Sequence, residues 1–140
     1  MPSLTALRQE HRHLMTLVGR MDGLISRPGP PPLTELFQLR SKLCVALISH
    51  LKTEDWLLYP RLLKSGDATI VRTAQTFGDE MGGLAQAYRA HVEEWTAWPI
   101  QTNWAGYCHD CREILDALAS RIRREDHELY PLLEARDKAA

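Results

Sequence analysis

The chain has 140 residues, 44% hydrophobic and 25% charged, with a formal net charge of -1. This length suits one domain with a single core, and the near-neutral charge leaves no basic footprint for nucleic acid and no polybasic membrane patch. The apolar runs are far shorter than a bilayer span, "MPSLTALRQEHRHL" lacks a secretory pattern, and three cysteines do not make a disulfide scaffold, so a reducing, cytoplasmic setting is expected.

Strand signals are poor, and helical periodicity is strong in four places. The spacing predicts a first helix over roughly 3–26, capped by Ser3, with Leu4, Leu7, His11, Leu14, Val18, Met21 and Ile25 on one face. The stretch "SRPGPPP" ends it. A second helix is expected over roughly 33–63, with Leu36, Leu43, Leu47, His50, Glu54 and Leu57 inward and Pro60 kinking its end. A third follows "KSGD" over roughly 67–97, with Phe77, Met81, Leu84, Tyr88, His91 and Trp95 inward. Gly82 and Gly83 cost it about 1 kcal/mol each relative to alanine and allow a close contact or a small bend. "WPIQTN" reads as a loop. The fourth helix, over roughly 103–134, presents Tyr107, Cys111, Ile114, Leu118, Arg121, Glu125, Leu129 and Leu132. Four helices with modest connections imply an all-α, up-down-up-down antiparallel four-helix bundle, with residues 1–140 as one domain.

The second and fourth helices contain an internal repeat. "SHLKTEDWLLYPRLL", residues 49–63, aligns with "SRIRREDHELYPLLE", residues 120–134, at an offset of 71. Ser49 meets Ser120, Glu54 meets Glu125 and Asp55 meets Asp126, while Leu58, Tyr59 and Pro60 meet Leu129, Tyr130 and Pro131. The residue after the serine differs: His50 in one copy, Arg121 in the other. Two helix pairs related by a pseudo-two-fold axis would produce this pattern.

Polar groups occupy positions where a core should be. His50 and Glu54 lie one turn apart on one face, and so do Arg121 and Glu125. In an antiparallel bundle His11 joins them at the same end. Burying carboxylates costs several kcal/mol each unless a metal or a cation compensates. A set of oxygen and nitrogen ligands suits iron, manganese or zinc, and bundle cores commonly carry such sites.

From "LRQEHRHL" to "REDHELYPLL" the chain resembles the hemerythrin-like, HHE cation-binding domains. The resemblance implies a histidine ligand at His11, a His-x-x-x-Glu pair at His50 and Glu54, and a second carboxylate at Glu125. The family's third-helix histidine falls on Met81, and its fourth-helix histidine on Arg121. In the family the first two helices serve one iron, the last two serve the other, and the glutamates bridge. Met81 is a poor ligand for a hard ion and Arg121 stays protonated, which argues against a di-iron, oxygen-carrying centre. Two states remain open. In one, a single iron, zinc or manganese ion is held by His11, His50, Glu54 and Glu125, with Arg121 in the space of the second ion. In the other, no metal binds and Arg121 forms a buried ionic network with Glu54 and Glu125.

Weaker signals have structural readings. Cys108 and Cys111 form a Cys-x-x-Cys that lacks haem-attachment order and strand context. With His91 and Cys44 they would make a thiol-rich zinc site or a disulfide; the plainer reading is a buried Cys111 and a partly exposed Cys108. His13, His109 and His127 are expected in solvent, and Tyr59 and Tyr130 close the bundle end. Trp56, Trp95, Trp98 and Trp104 are expected to pack or to form an interface, with Trp98 and Trp104 suggesting a homodimer or protein-partner contact. No nucleophile–base–orienter set is visible, so enzyme function has little support. The expected role is sensing or regulation by a bundle with one ion or none; the alternative is a metal-free interaction module.

Overall fold

The structure, a computed structural model, describes residues 2–139 and is helical throughout, without strands among those residues. Helix α1 spans Leu4–Ile25, and the Ser3 hydroxyl caps it by accepting from the Ala6 amide. Helix α2 spans Leu33–Lys52, starting directly after the proline run. A π-helical turn, Thr53–Leu58, then leads into α3, Tyr59–Leu63. Asp67 caps α4, Ala68–Met81, and accepts from both Thr69 and Ile70 amides. Helix α5 is Leu84–Glu94 and α6 is Ala97–Thr102. Helix α7, Trp104–Arg124, passes through a second π turn, Glu125–Leu129, into α8, Tyr130–Ala139. Helix α1 packs on α2 and α7, while α5 packs on α2 and α7, which closes the bundle ring.

Three expectations are corrected. The third helix is not continuous: it breaks at Gly82–Gly83, where Gly83 takes a positive φ of 81° that a side chain would oppose. "WPIQTN" is largely helix α6 rather than loop, with Ile100 fully buried under it. Leu57 points to solvent at 54% exposure while Leu58 is buried at 0%, a one-residue shift of the inward stripe.

Proline explains that shift. Pro60 and Pro131 have no amide hydrogen, and each ring would clash with the carbonyl four residues earlier. The chain widens one turn instead, so the Tyr59 amide bonds the Glu54 carbonyl and the Tyr130 amide bonds the Glu125 carbonyl. In an α-helix, residues five apart point roughly 140° away from each other. The wider turn brings both members of each Glu–Tyr pair inward, and all four side chains are buried.

The core is split. One apolar cluster contains Leu14, Met21, Leu36, Leu43, Leu51, Tyr107 and Leu118, among others. A smaller one contains Leu7, Leu58, Leu62, Ile70, Phe77 and Leu129. Between them lies a polar layer of His11, His50, Glu54, Arg121 and Glu125, every member at most 3% exposed.

Candidate metal centre

The five residues read as inward from the sequence meet in this layer. His11 comes from α1, His50 from the end of α2, and Glu54 from the first π turn. Arg121 comes from the end of α7 and Glu125 from the second π turn. One ligand atom from each of His11, His50, Glu54 and Glu125 can be chosen so that all lie within 4.8 Å of one another.

The imidazoles are oriented from behind. His11 Nδ1 lies 2.8 Å from Asp126 Oδ1, and His50 Nδ1 lies 2.7 Å from Glu10 Oε1. A carboxylate at Nδ1 holds the proton there, which leaves Nε2 as the nitrogen that faces inward. The two Nε2 atoms are 3.0 Å apart. His50 Nε2 is 2.9 Å from Glu54 Oε1, and His11 Nε2 is 3.2 Å from Glu125 Oε1. Lone pairs at this spacing repel unless a proton or a metal ion lies among them.

The two glutamates are also held from the other side. Tyr130 donates to Glu54 Oε2 at 2.6 Å, and Tyr59 donates to Glu125 Oε2 at 2.7 Å. Arg121 donates from Nε to Glu125 Oε2 at 3.3 Å and from one Nη to Glu54 Oε1 at 3.4 Å. The same Nη reaches Asp55 Oδ1 at 2.7 Å, and the other reaches the Met81 carbonyl at 3.4 Å. Glu125 Oε1, also buried, has no donor other than the His11 Nε2 that faces it at 3.2 Å.

The electrostatics reflect a shortage of positive charge. Burial would lower the His50 pKa, but Glu54 and Glu10 more than reverse this and raise it to about 9. His11 is raised in the same way, with Glu125, Glu54 and Asp126 outweighing its burial. Burial would raise Glu54, but His50 and Arg121 hold it below the usual carboxylate range. Glu125 moves upward through burial and the neighbouring Glu54 charge. Two carboxylates compete here for one set of cations.

The donor set has the chemistry to hold a metal ion. It offers two imidazole nitrogens with carboxylate-anchored back sides, and a buried carboxylate oxygen that only His11 Nε2 faces. The second half of the layer has no such donors. Arg121 presents only hydrogen-bond donors there, and Met81 is partly buried against the smaller apolar cluster.

Glu10, Asp55 and Asp126 were not singled out by sequence reasoning. A signal existed, because Asp55 and Asp126 occupy equivalent repeat positions and Glu10 directly precedes His11. Their role appears only when the helices are placed together.

The thiols do not form a second centre. Cys44, Cys108 and Cys111 are free. Among the described residues, the other group that could bring three ligand atoms together is His109, Asp110 and Glu113, with His109 and Glu113 exposed. Burial pushes the Cys111 thiol up to about 12. His91 is packed among Tyr88 and Tyr107 rings instead. Trp95 is buried and donates to Asp110, while the half-buried Trp104 donates to the Arg27 carbonyl; Trp56 and Trp98 are exposed.

A family model described as Hemerythrin HHE cation binding domain matches residues 3–133. No curated protein and no solved structure matches the chain. No helix of the described residues is long and apolar enough to cross a membrane.

Proposed function

This chain belongs to the hemerythrin HHE cation-binding domain family, and from that premise we propose a bundle whose centre is reduced to one ion. The ion is held by His11, His50, Glu54 and Glu125, and Arg121 supplies the second positive charge as a fixed part of the protein. The observation that carries this reading is a pair of Nε2 atoms 3.0 Å apart, with Glu54 Oε1 2.9 Å from one and the buried Glu125 Oε1 3.2 Å from the other. A bound divalent ion would supply Lewis acidity and charge compensation at that point.

The chain's own residues do the rest. Glu10 and Asp126 fix the histidine tautomers. Tyr59 and Tyr130 hold the far oxygens of the glutamates, so that the near oxygens face the histidines. Arg121 offsets carboxylate charge that a lone divalent ion would leave uncompensated. A site with one ion, closed in by two apolar clusters, supports a sensing or regulatory role in the cytoplasm better than di-iron oxygen carriage. Its three free cysteines accord with a reducing setting.

The test is elemental analysis and native mass spectrometry of protein produced in medium supplemented with iron, zinc and manganese. One ion per chain is expected, and two ions would overturn the reading. A metal-free interaction module, as a homodimer or with a protein partner, is the second reading. It is favoured by the contacts of Arg121 with Glu54, Asp55 and Glu125, which already form a buried ionic network. Substoichiometric metal in every medium would select it.

A further inference from the structure

We infer that the ion reaches its four ligands through one surface pocket beside α4, with the Arg121 guanidinium as the displaceable floor of that route. This rests on the single-ion reading.

The pocket has a volume of about 280 Å³, and Asp55, Tyr59, Phe77, Gly78, Asp79 and Arg121 are among its lining residues. Asp55 and Asp79 place negative charge along it, which draws a cation inward. At the floor, Arg121 lies over the Tyr59 ring, 5.5 Å from its centroid. Directly behind the guanidinium are Glu54 Oε1 at 3.4 Å and Glu125 Oε2 at 3.3 Å. Arg121, beside the Tyr59 hydroxyl that holds Glu125 Oε2, therefore separates this pocket from Glu54 Oε1, an oxygen that faces His50.

The other approaches are blocked by the ligands themselves. A larger groove between α1 and α2, about 980 Å³, reaches Glu10. There the His50 ring lies across the path, with Nδ1 toward Glu10 and Nε2 toward the site. On the Asp126 side the His11 ring stands in the same way, and Arg8 covers it by pairing with Asp126 and Glu134. Entry at either place requires a ligand to rotate out of position. Entry at Arg121 requires only a long, flexible side chain to change rotamer. Arg121 keeps its own proton and its Asp55 contact while it swings aside, then returns to the glutamates behind the ion; protons carried on the ligand imidazoles leave to solvent as the ion binds.

The experiment uses Co²⁺ alone as probe, with loading followed by visible absorption in a stopped-flow instrument and release followed on mixing with a chelator. Gly78→Leu narrows the mouth; a Cβ at Gly78 meets nothing within 4 Å, and leucine favours helix more than glycine does. This variant is expected to slow loading and release together by about tenfold or more while leaving affinity unchanged. Asp79→Lys is expected to slow loading, most strongly at low salt. Val45→Trp, in the α1–α2 groove, is expected to change neither rate. Wild-type rates in Gly78→Leu, or slowing by Val45→Trp alone, would overturn the route while leaving the single-ion reading intact. Absence of Co²⁺ uptake by the wild-type chain would sink both.

Discussion

The two repeat copies share a backbone solution and differ in what they hold. In each, a proline forces a π turn, and that turn aims a glutamate and a tyrosine inward. The tyrosines cross over: Tyr59 serves Glu125 from the other copy, and Tyr130 serves Glu54. The aspartates diverge. Asp126 anchors His11 from the first helix, whereas Asp55 has turned to Arg121. The acidic residues outside the repeat diverge too. Glu10 supports His50, while Glu80, which precedes Met81, pairs at the surface with Arg124. Where one copy has an imidazole the other has a guanidinium, and Asp55, Glu54 and Glu125 all contact it. Two carboxylate-anchored imidazoles stand in one half of the layer, and a guanidinium fills the other.

This asymmetry can be broken. The largest effect is expected from Arg121→Ala, which strands Glu54 and Glu125 in a buried layer. A loss of about 3–5 kcal/mol is expected in urea denaturation, because an unpaired buried charge is left behind. Added divalent metal should recover part of it by mass action. A loss below about 1 kcal/mol would mean that the guanidinium is dispensable.

The shared π turn gives the next contrast. Leu58→Ala is expected to cost about 2–5 kcal/mol and Leu57→Ala less than about 0.5 kcal/mol, as for a core and a surface site. Equal costs would show an ordinary α-helical register through residues 53–58. The crossed tyrosines come third. Tyr59→Phe and Tyr130→Phe should each cost about 1.5–3 kcal/mol, the range for hydrogen bonds to charged groups. A marked inequality would break the pseudo-two-fold equivalence of the two copies.

The last contrast lies outside the repeat and is confined to low pH. Burial and the nearby Arg40 charge lower His91 to about 4 from its ordinary 6.5. The folded state therefore resists a proton that the unfolded chain accepts. Stability from this group is complete above about pH 6.5 and declines as pH falls toward 4. Denaturation midpoints of the wild type and His91→Leu, compared over that window, should diverge as pH drops.

Much of this arrangement was legible in the sequence. The three-four spacing gave the bundle, and the polar interruptions at His11, His50, Glu54, Arg121 and Glu125 gave the layer, because a buried charge is rarely placed without purpose. The break at Gly82–Gly83 was hidden, since paired glycines fit a bend as well as a termination. The π turns were hidden because periodicity assumes a constant register, and the stripe that ended at Leu57 carried that assumption into the turn before Pro60. Glu10, Asp55 and Asp126 were hidden because a carboxylate beside a ligand resembles an ordinary solvated charge until the partner helix is in place.

The most direct measurement is the number of ions bound per chain before and after Met81→His and Arg121→His are introduced together. The account predicts one ion in the parent and two in the double variant, since removing the fixed cation and restoring two imidazoles recreates the missing half-site. An unchanged count in the double variant, or two ions already present in the parent, would contradict it.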